Sequence, residues 1–336
     1  MKPRTPGFWL IVATVGLLAL LPMQALAGMT PKVFEGYKAK AETGDRVAQL
    51  ILGVCYHNGE GVAKDQVEAV KWYRKAAEQG YAEAQFQLGY CYANGDGVAK
   101  DQVQAVAWYR KAAAQGYAEA QFILGVCYFN GKGVARDFVQ AVSWYRKAAE
   151  QGHDDAQFNL GNCYAFGEGV ARDQVQAVSW YRKAADQGLA VAQVQLGYCY
   201  GSYQGVTRDQ VQAVWRYRKA AAQGYAEAQF TLGKCYAFGE GVAKDQVQAV
   251  SWYRKAAEQG LAYAQFTLGN CYADGEGVAK DEIEAYAYYN LAGMTHKDAR
   301  KNLAILEKKI SRDGIASGQQ RTKQLQKEIE AKRAGK

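Results

Sequence analysis

Seven cysteines set the frame. Cys55, Cys91, Cys127, Cys163, Cys199, Cys235 and Cys271 each stand 36 residues after the last, and the surrounding text returns with them. "GEGVAKDQVEAVKWYRKAAEQG" from Gly59 comes back as "GDGVAKDQVQAVAWYRKAAAQG" from Gly95, then with growing drift from Gly131, Gly167, Gly239 and Gly275. A period of this length marks a repeat array. Seven units run from about residue 45 to 292.

Each unit reads as two helices. In the second unit Ala84, Leu88, Cys91 and Tyr92 fall at spacings of four, three and one, which lines one face of a first helix, A. "ANGDGV" then supplies glycines for backbone angles that other residues avoid. Asp101 stands as the N-cap of a second helix, B, with Gln104 three residues on, a capping-box spacing. The spacing recurs at Asp65/Glu68, Asp137/Gln140, Asp173/Gln176, Asp209/Gln212, Asp245/Gln248 and Asp281/Glu284. Helix B turns Ala105, Trp108, Tyr109 and Ala112 inward and stops at Gly116, a C-terminal glycine. A pair of helices cannot bury both apolar faces alone, so neighbours must stack.

"AEAQFQLGYCYANGDGVAKDQVQAVAWYRKAAAQG" (82–116), with the six strings like it, resembles the Sel-one-like repeat family, relatives of the tetratricopeptide repeats. The resemblance covers about three quarters of the chain. It implies an all-α fold, a right-handed α/α solenoid of seven 36-residue helix-turn-helix repeats with helical caps. It also implies a protein that holds other proteins, often in bacterial envelope assembly, secretion or host contact, and not an enzyme. Exported cysteine-rich members carry two cysteines per repeat, and the second is absent here.

The N-terminus indicates the compartment. Lys2 and Arg4 precede an uncharged run from Phe8 to Leu21, and "ALA" at 25–27 precedes Gly28, the layout of a secretory signal peptide cut after Ala27. The run is shorter than the ~20 residues a spanning helix needs, so no transmembrane anchor is expected after cleavage. The expected organisation is a signal peptide at 1–27, a capping helix at 28–44, seven repeats at 45–292, and a capping helix with a basic, exposed and fraying helical tail at 293–336. The expected location is the bacterial periplasm or the exterior.

Export raises the question of disulfides. Equivalent positions on packed helices lie about 8–10 Å apart, whereas a disulfide needs Cα atoms within about 7 Å. Each thiol is therefore expected to pack as a small hydrophobe on helix A. His57, His153 and His296 are scattered, so no metal site is expected, and no cofactor.

The positions that vary between units fall on one stripe of helix A, away from the Leu-Cys-Tyr face. It reads Val47, Ile51, Val54, Asn58; Glu83, Gln87, Tyr90, Asn94; Glu119, Ile123, Val126, Asn130; Asp155, Asn159, Asn162, Phe166; Val191, Gln195, Tyr198, Ser202; Glu227, Thr231, Lys234, Phe238; Tyr263, Thr267, Asn270, Asp274. In solenoids of this kind the A helices line the concave surface. The partner-binding candidates are Gln87, Tyr90, Asn94, Asn130, Asn159, Asn162, Phe166, Gln195, Tyr198, Thr231, Lys234, Phe238 and Asn270. Amides there can bond a peptide backbone, and aromatics can anchor a partner. A nucleic-acid groove would need basic residues, and the stripe has almost none.

Unit five departs twice. Tyr203 stands where the other units have glycine, and Trp215-Arg216 replaces the usual small or polar residue followed by Trp. Tyr203, Trp215 and Arg216 are thus a candidate notch, and a tyrosine at a glycine position predicts a loop of different shape. The Arg-Lys pairs of "WYRK" read as a solvated ladder paired with nearby Asp and Glu.

No enzyme signature is present: there is no S-x-x-K, H-E-x-x-H, phosphate loop or G-x-S-x-G. Expected is an exported, non-enzymatic scaffold for a protein or peptide. The alternative is a polysaccharide or peptidoglycan binder using the stripe's aromatics.

Overall fold

The computed structural model describes residues 29–334, and the expected signal peptide lies outside them. These residues form seventeen α-helices and no strand. A capping helix α1 (Pro31–Glu42) comes first. The A helices are α2 (Arg46–Asn58), α4 (Ala82–Asn94), α6 (Ala118–Asn130), α8 (Asp154–Phe166), α10 (Ala190–Gly201), α12 (Ala226–Phe238) and α14 (Ala262–Asp274). Their B partners are α3 (Gln66–Glu78), α5 (Gln102–Ala114), α7 (Phe138–Glu150), α9 (Gln174–Asp186), α11 (Gln210–Ala222), α13 (Gln246–Ala257) and α15 (Glu282–Gly293). α16 (Lys297–Glu307) and α17 (Arg312–Ala334) close the chain. The chain divides into two compact units, one ending at His153 and one starting at Asp154.

The caps explain the boundaries. Asp101 accepts hydrogen bonds from the Val103 and Gln104 amides at 2.9 and 3.0 Å. The reciprocal half of the expected capping box is replaced: the Asp101 amide donates to the Tyr92 carbonyl at 2.8 Å, across the loop. Asp65, Asp137, Asp173, Asp209, Asp245 and Asp281 close their loops in the same way, which frees Glu68 to pair with Lys71. Helix B ends in a Schellman arrangement. The Gly80 amide donates to Ala77 and the Tyr81 amide to Ala76, with Gly80 at φ +81°.

The repeated Leu-Gly of helix A has a steric cause. A Cβ on Gly89 would lie 2.7 Å from the Tyr109 ring, so the glycine lets a helix-B tyrosine lie directly on the helix-A backbone. The same contact recurs between Gly161 and Tyr181.

In the first unit one core joins Leu50 and Val54 of α2, Tyr73 of α3, Leu88 and Cys91 of α4 and Trp108 of α5. Here one pair completes its core with the next, as a linear array requires. α1 lays Phe34 and Ala41 over Ile51, Cys55 and Trp72. In the second unit Phe158, Tyr181, Leu196 and Cys199 pack together, and so do Tyr217, Leu232 and Cys235.

The tail differs from expectation. α17 is not a fraying, exposed helix: Gly318, Thr322, Leu325 and Ile329, spaced four, three and four, form a buried stripe. Leu325 and Ile329 join Tyr286, Tyr288 and Leu306 in one cluster. Arg321 pairs with Glu284 at 2.6 Å and Lys332 with Glu258 at 2.7 Å. Among the described residues no helix is long and apolar enough to cross a membrane.

Candidate binding surface

The interior chemistry determines which side chains are available for binding. All seven cysteines are free and buried. Burial pushes the Cys91 and Cys163 thiols up to about 12 and the other five to about 11. Each is a small apolar filler holding its proton, as its place beside the inward leucine implied.

The Arg-Lys ladder is also structural, and its partners are not the acidic residues expected. The Arg74 guanidinium donates to the Tyr92 hydroxyl at 2.8 Å, and Arg110, Arg182, Arg218 and Arg254 repeat the bond to Tyr128, Tyr200, Tyr236 and Tyr272. Lys75 lies 3.9 Å from the Trp72 ring centroid, a contact repeated at Lys111, Lys147, Lys183 and Lys255. An aromatic face and a phenol stand near enough to occupy both cations.

A feature absent from the sequence reading is a buried glutamine in every A helix: Gln49, Gln85, Gln121, Gln157, Gln193, Gln229 and Gln265. Gln85 donates through Nε2 to the Ala77 carbonyl at 3.1 Å and accepts at Oε1 from Gln115 at 2.8 Å. One amide thereby ties helix A both to the preceding helix B and to its own. The available signal was an unvaried polar residue set among alanines on the inward face.

The proposed stripe divides. Gln87 is buried, with 8% of its surface exposed, and contributes nothing to a binding face. Its equivalents Ile51 and Ile123 pack into the cores around Phe34 and Phe86, so in these first three repeats the position lies in a seam between neighbouring pairs, whereas its later equivalents Gln195 and Thr231 are half-buried. Asn162 and Asn270 turn inward to accept the Tyr181 and Tyr289 hydroxyls at 2.7 and 2.8 Å, and Asn270 also takes a bond from Asn302. Asn130 and Asn159 bond the carbonyls of Val126 and Asp155, one turn back on their own helices. Tyr90, Gln195 and Thr231 are half-buried, and Asn94 and Lys234 are exposed.

Of the partner-binding candidates three rings are exposed, Phe166 at 56%, Tyr198 at 50% and Phe238 at 68%, while the stripe's Tyr263, 62% exposed, lies edge-on to the His296 ring. All three belong to the second unit. Where Phe166 and Phe238 stand near the end of helix A, the first unit has Asn58, Asn94 and Asn130.

The notch separates into two environments. The loop at Tyr203 differs from the glycine loops in its start, since α10 stops one residue earlier with Ser202 as its C-cap, and keeps their left-handed turn and closing bonds. Tyr203 takes φ +59°, while Gln204 and Asp209 still donate to the Cys199 and Tyr200 carbonyls at 3.2 and 2.9 Å. Loop closure and Gly205, packed on the Gln174 carbonyl, hold the tyrosine in a left-handed conformation at a cost of about 1–2 kcal/mol. Its ring lies against Arg208. Arg216 is not an open notch residue: it is 7% exposed, fills the usual tryptophan position and binds Asp186 at 2.8 Å. Trp215, displaced one residue outward, takes the Lys219 contact at 4.0 Å.

The Sel1 repeat profile matches residues 46–81, 82–117, 118–153, 154–189, 190–225, 226–261 and 262–294. A crystal structure of a Sel1 repeat protein from Oxalobacter formigenes is 36% identical, covering 82% of this chain and 80% of that one, with a TM-score of 0.69. The structure of c5321, a protective antigen in uropathogenic Escherichia coli strains displaying an SLR fold, is 33% identical over 89% and 80% of the two chains, with a TM-score of 0.45. The immunity protein Pa5087 from Pseudomonas aeruginosa is 24% identical over 63% and 81%, with a TM-score of 0.42. No curated protein matches the sequence. The chain belongs to the Sel1 repeat family.

Proposed function

We propose that this chain is an exported, non-catalytic scaffold of the bacterial periplasm or exterior, and that it holds a protein or peptide on the outward side of the second unit's A helices. The observation that carries the reading is the exposure of Phe166, Tyr198 and Phe238. Exposed aromatic rings offer anchors to a partner, and aromatic anchors dominate protein interfaces. Half-buried Gln195 and Thr231 and exposed Lys234 supply polar contacts between the rings. Signal-peptide cleavage after Ala27 places this surface outside the cytoplasm.

The test is site-specific photocrosslinking from position 238 in the producing bacterium, with Val103, 66% exposed in the first unit, as control. A protein adduct specific to position 238 supports the scaffold. A glycan adduct there supports the alternative reading, since exposed rings also stack on sugars. Equal labelling at both positions removes the assignment.

A further inference from the structure

In six repeats the buried helix-A glutamine accepts a hydrogen bond from the glutamine at the end of its own helix B. The pairs are Gln49/Gln79 at 2.8 Å, Gln85/Gln115 at 2.8 Å, Gln121/Gln151 at 2.7 Å, Gln157/Gln187 at 2.8 Å, Gln193/Gln223 at 3.2 Å and Gln229/Gln259 at 2.9 Å. In the seventh the donor position is Thr295, whose side chain is too short to take its place. Gln265 is 4% exposed, and its Nε2 donates to the Ala257 carbonyl at 3.2 Å. Among the described residues no donor reaches its Oε1.

That oxygen does not lie in packed core. Gln265 lines a cavity of about 280 Å³ together with Leu291, Met294, Thr295, Ile329, Glu330 and Arg333. The volume is near the lower end for ligand pockets, about 300 Å³, which suits one side chain or a small amide. Leu291, Met294 and Ile329 give it apolar walls. Arg333 is engaged with the Gln259 carbonyl at 3.2 Å. That bond uses one of the guanidinium's five N–H donors, and Glu330 Oε1 accepts from Gln326, which also lines the cavity, at 3.0 Å; the acceptor left without a donor is Gln265 Oε1, so an N–H donor is wanted there. The six other repeats identify the donor that this oxygen takes elsewhere: a primary carboxamide on a short aliphatic stem.

We infer that the cavity beside Gln265 is a recognition site for a carboxamide side chain, a glutamine presented by a bound polypeptide. It is separate from the aromatic surface and does not depend on it. The amide nitrogen donates to Gln265 Oε1, and the methylenes lie against Leu291 and Ile329.

The test uses the secreted chain with ¹³C-methyl methionine labelling, reading Met294 at the cavity and Met29 as a remote control. The probes are N-acetylglutamine N-methylamide and its glutamate and lysine counterparts, titrated through the millimolar range suited to a fragment. A saturable Met294 shift is expected with the glutamine probe, several-fold weaker with the other two, with Met29 unmoved. Thr295→Gln restores the chain's own donor and should abolish the shift. No shift, equal shifts from all three probes, a preference for lysine, or a shift that survives Thr295→Gln would overturn the assignment. The comparison of probes on the unmodified chain decides the matter even if the variant fails to fold.

Discussion

Tyr73→Phe should stabilise the protein while the equivalent Tyr181→Phe destabilises it. Both tyrosines lie on helix B with rings packed on a helix-A glycine, Gly53 or Gly161, and both are at most 1% exposed. The difference is the residue opposite the hydroxyl. Tyr181 donates to Asn162 Oδ1 at 2.7 Å. In the first repeat the equivalent of Asn162 is Val54, and the buried Tyr73 hydroxyl has no partner among the described residues. An unsatisfied buried hydroxyl costs about 1–3 kcal/mol, whereas a made hydrogen bond contributes about 1 kcal/mol. Removing the Tyr73 oxygen should therefore gain about 1 kcal/mol, and removing the Tyr181 oxygen should lose about 1 kcal/mol. Hydrogen exchange read by mass spectrometry on the α2–α3 and α8–α9 peptides measures local stability directly. A change of 1 kcal/mol corresponds to about fivefold in exchange rate, slower for Tyr73→Phe and faster for Tyr181→Phe. Faster exchange of α2–α3 in Tyr73→Phe would refute the reasoning, because it would mean that the hydroxyl is satisfied in solution.

Gln121→Ala removes the bonds to the Ala113 carbonyl and from Gln151 and should cost about 2–3 kcal/mol, seen as faster exchange in α6 and in the end of α5. Stability should also fall at alkaline pH. The thiols keep their protons in the folded chain up to about pH 11–12, while the unfolded chain releases them near 8.5. The folded state thus binds more protons in that interval, so stability holds below about pH 8 and declines as pH rises towards 11. Denaturant midpoints measured from pH 7 to 10.5 would show this, and a flat profile would contradict it. Native thiols should react slowly with a disulfide reagent at pH 8, and all seven should titrate in denaturant without reductant. The mature protein should begin at Gly28 on N-terminal sequencing, and an intact Met1 would remove the exported assignment.

Repeat length, helix pairing and the inward faces were legible because the chain supplies its own comparison. An apolar side chain at helical spacing has little choice of direction, so Leu88, Cys91 and Tyr109 were placed from spacing alone. The surface was harder to read, since variation identifies positions that are not held by the core but does not separate solvent from seam. Gln87 varies and is buried, and Asn162 varies because only some repeats give their tyrosine a partner. Gln85 and its equivalents were missed for the opposite reason: a polar residue looks outward unless its hydrogen bonds are known. The loop at Tyr203 was only partly foreseen because local strain was weighed without the loop-closing bonds that over-determine its backbone. Phe166, Tyr198 and Phe238 were on the stripe, but only burial distinguishes them from Asn159, which shares it.

The most direct measurement is the affinity of a crosslinked partner for residues 28–336 and for the same residues carrying Phe166→Ala/Tyr198→Ala/Phe238→Ala. Hydrogen exchange serves as a fold control, expected to be unchanged because all three rings are at least half exposed. Losing aromatic anchors worth about 2 kcal/mol or more should weaken binding at least tenfold with the fold intact. Equal affinity for both proteins would contradict the claim that these rings form the binding surface.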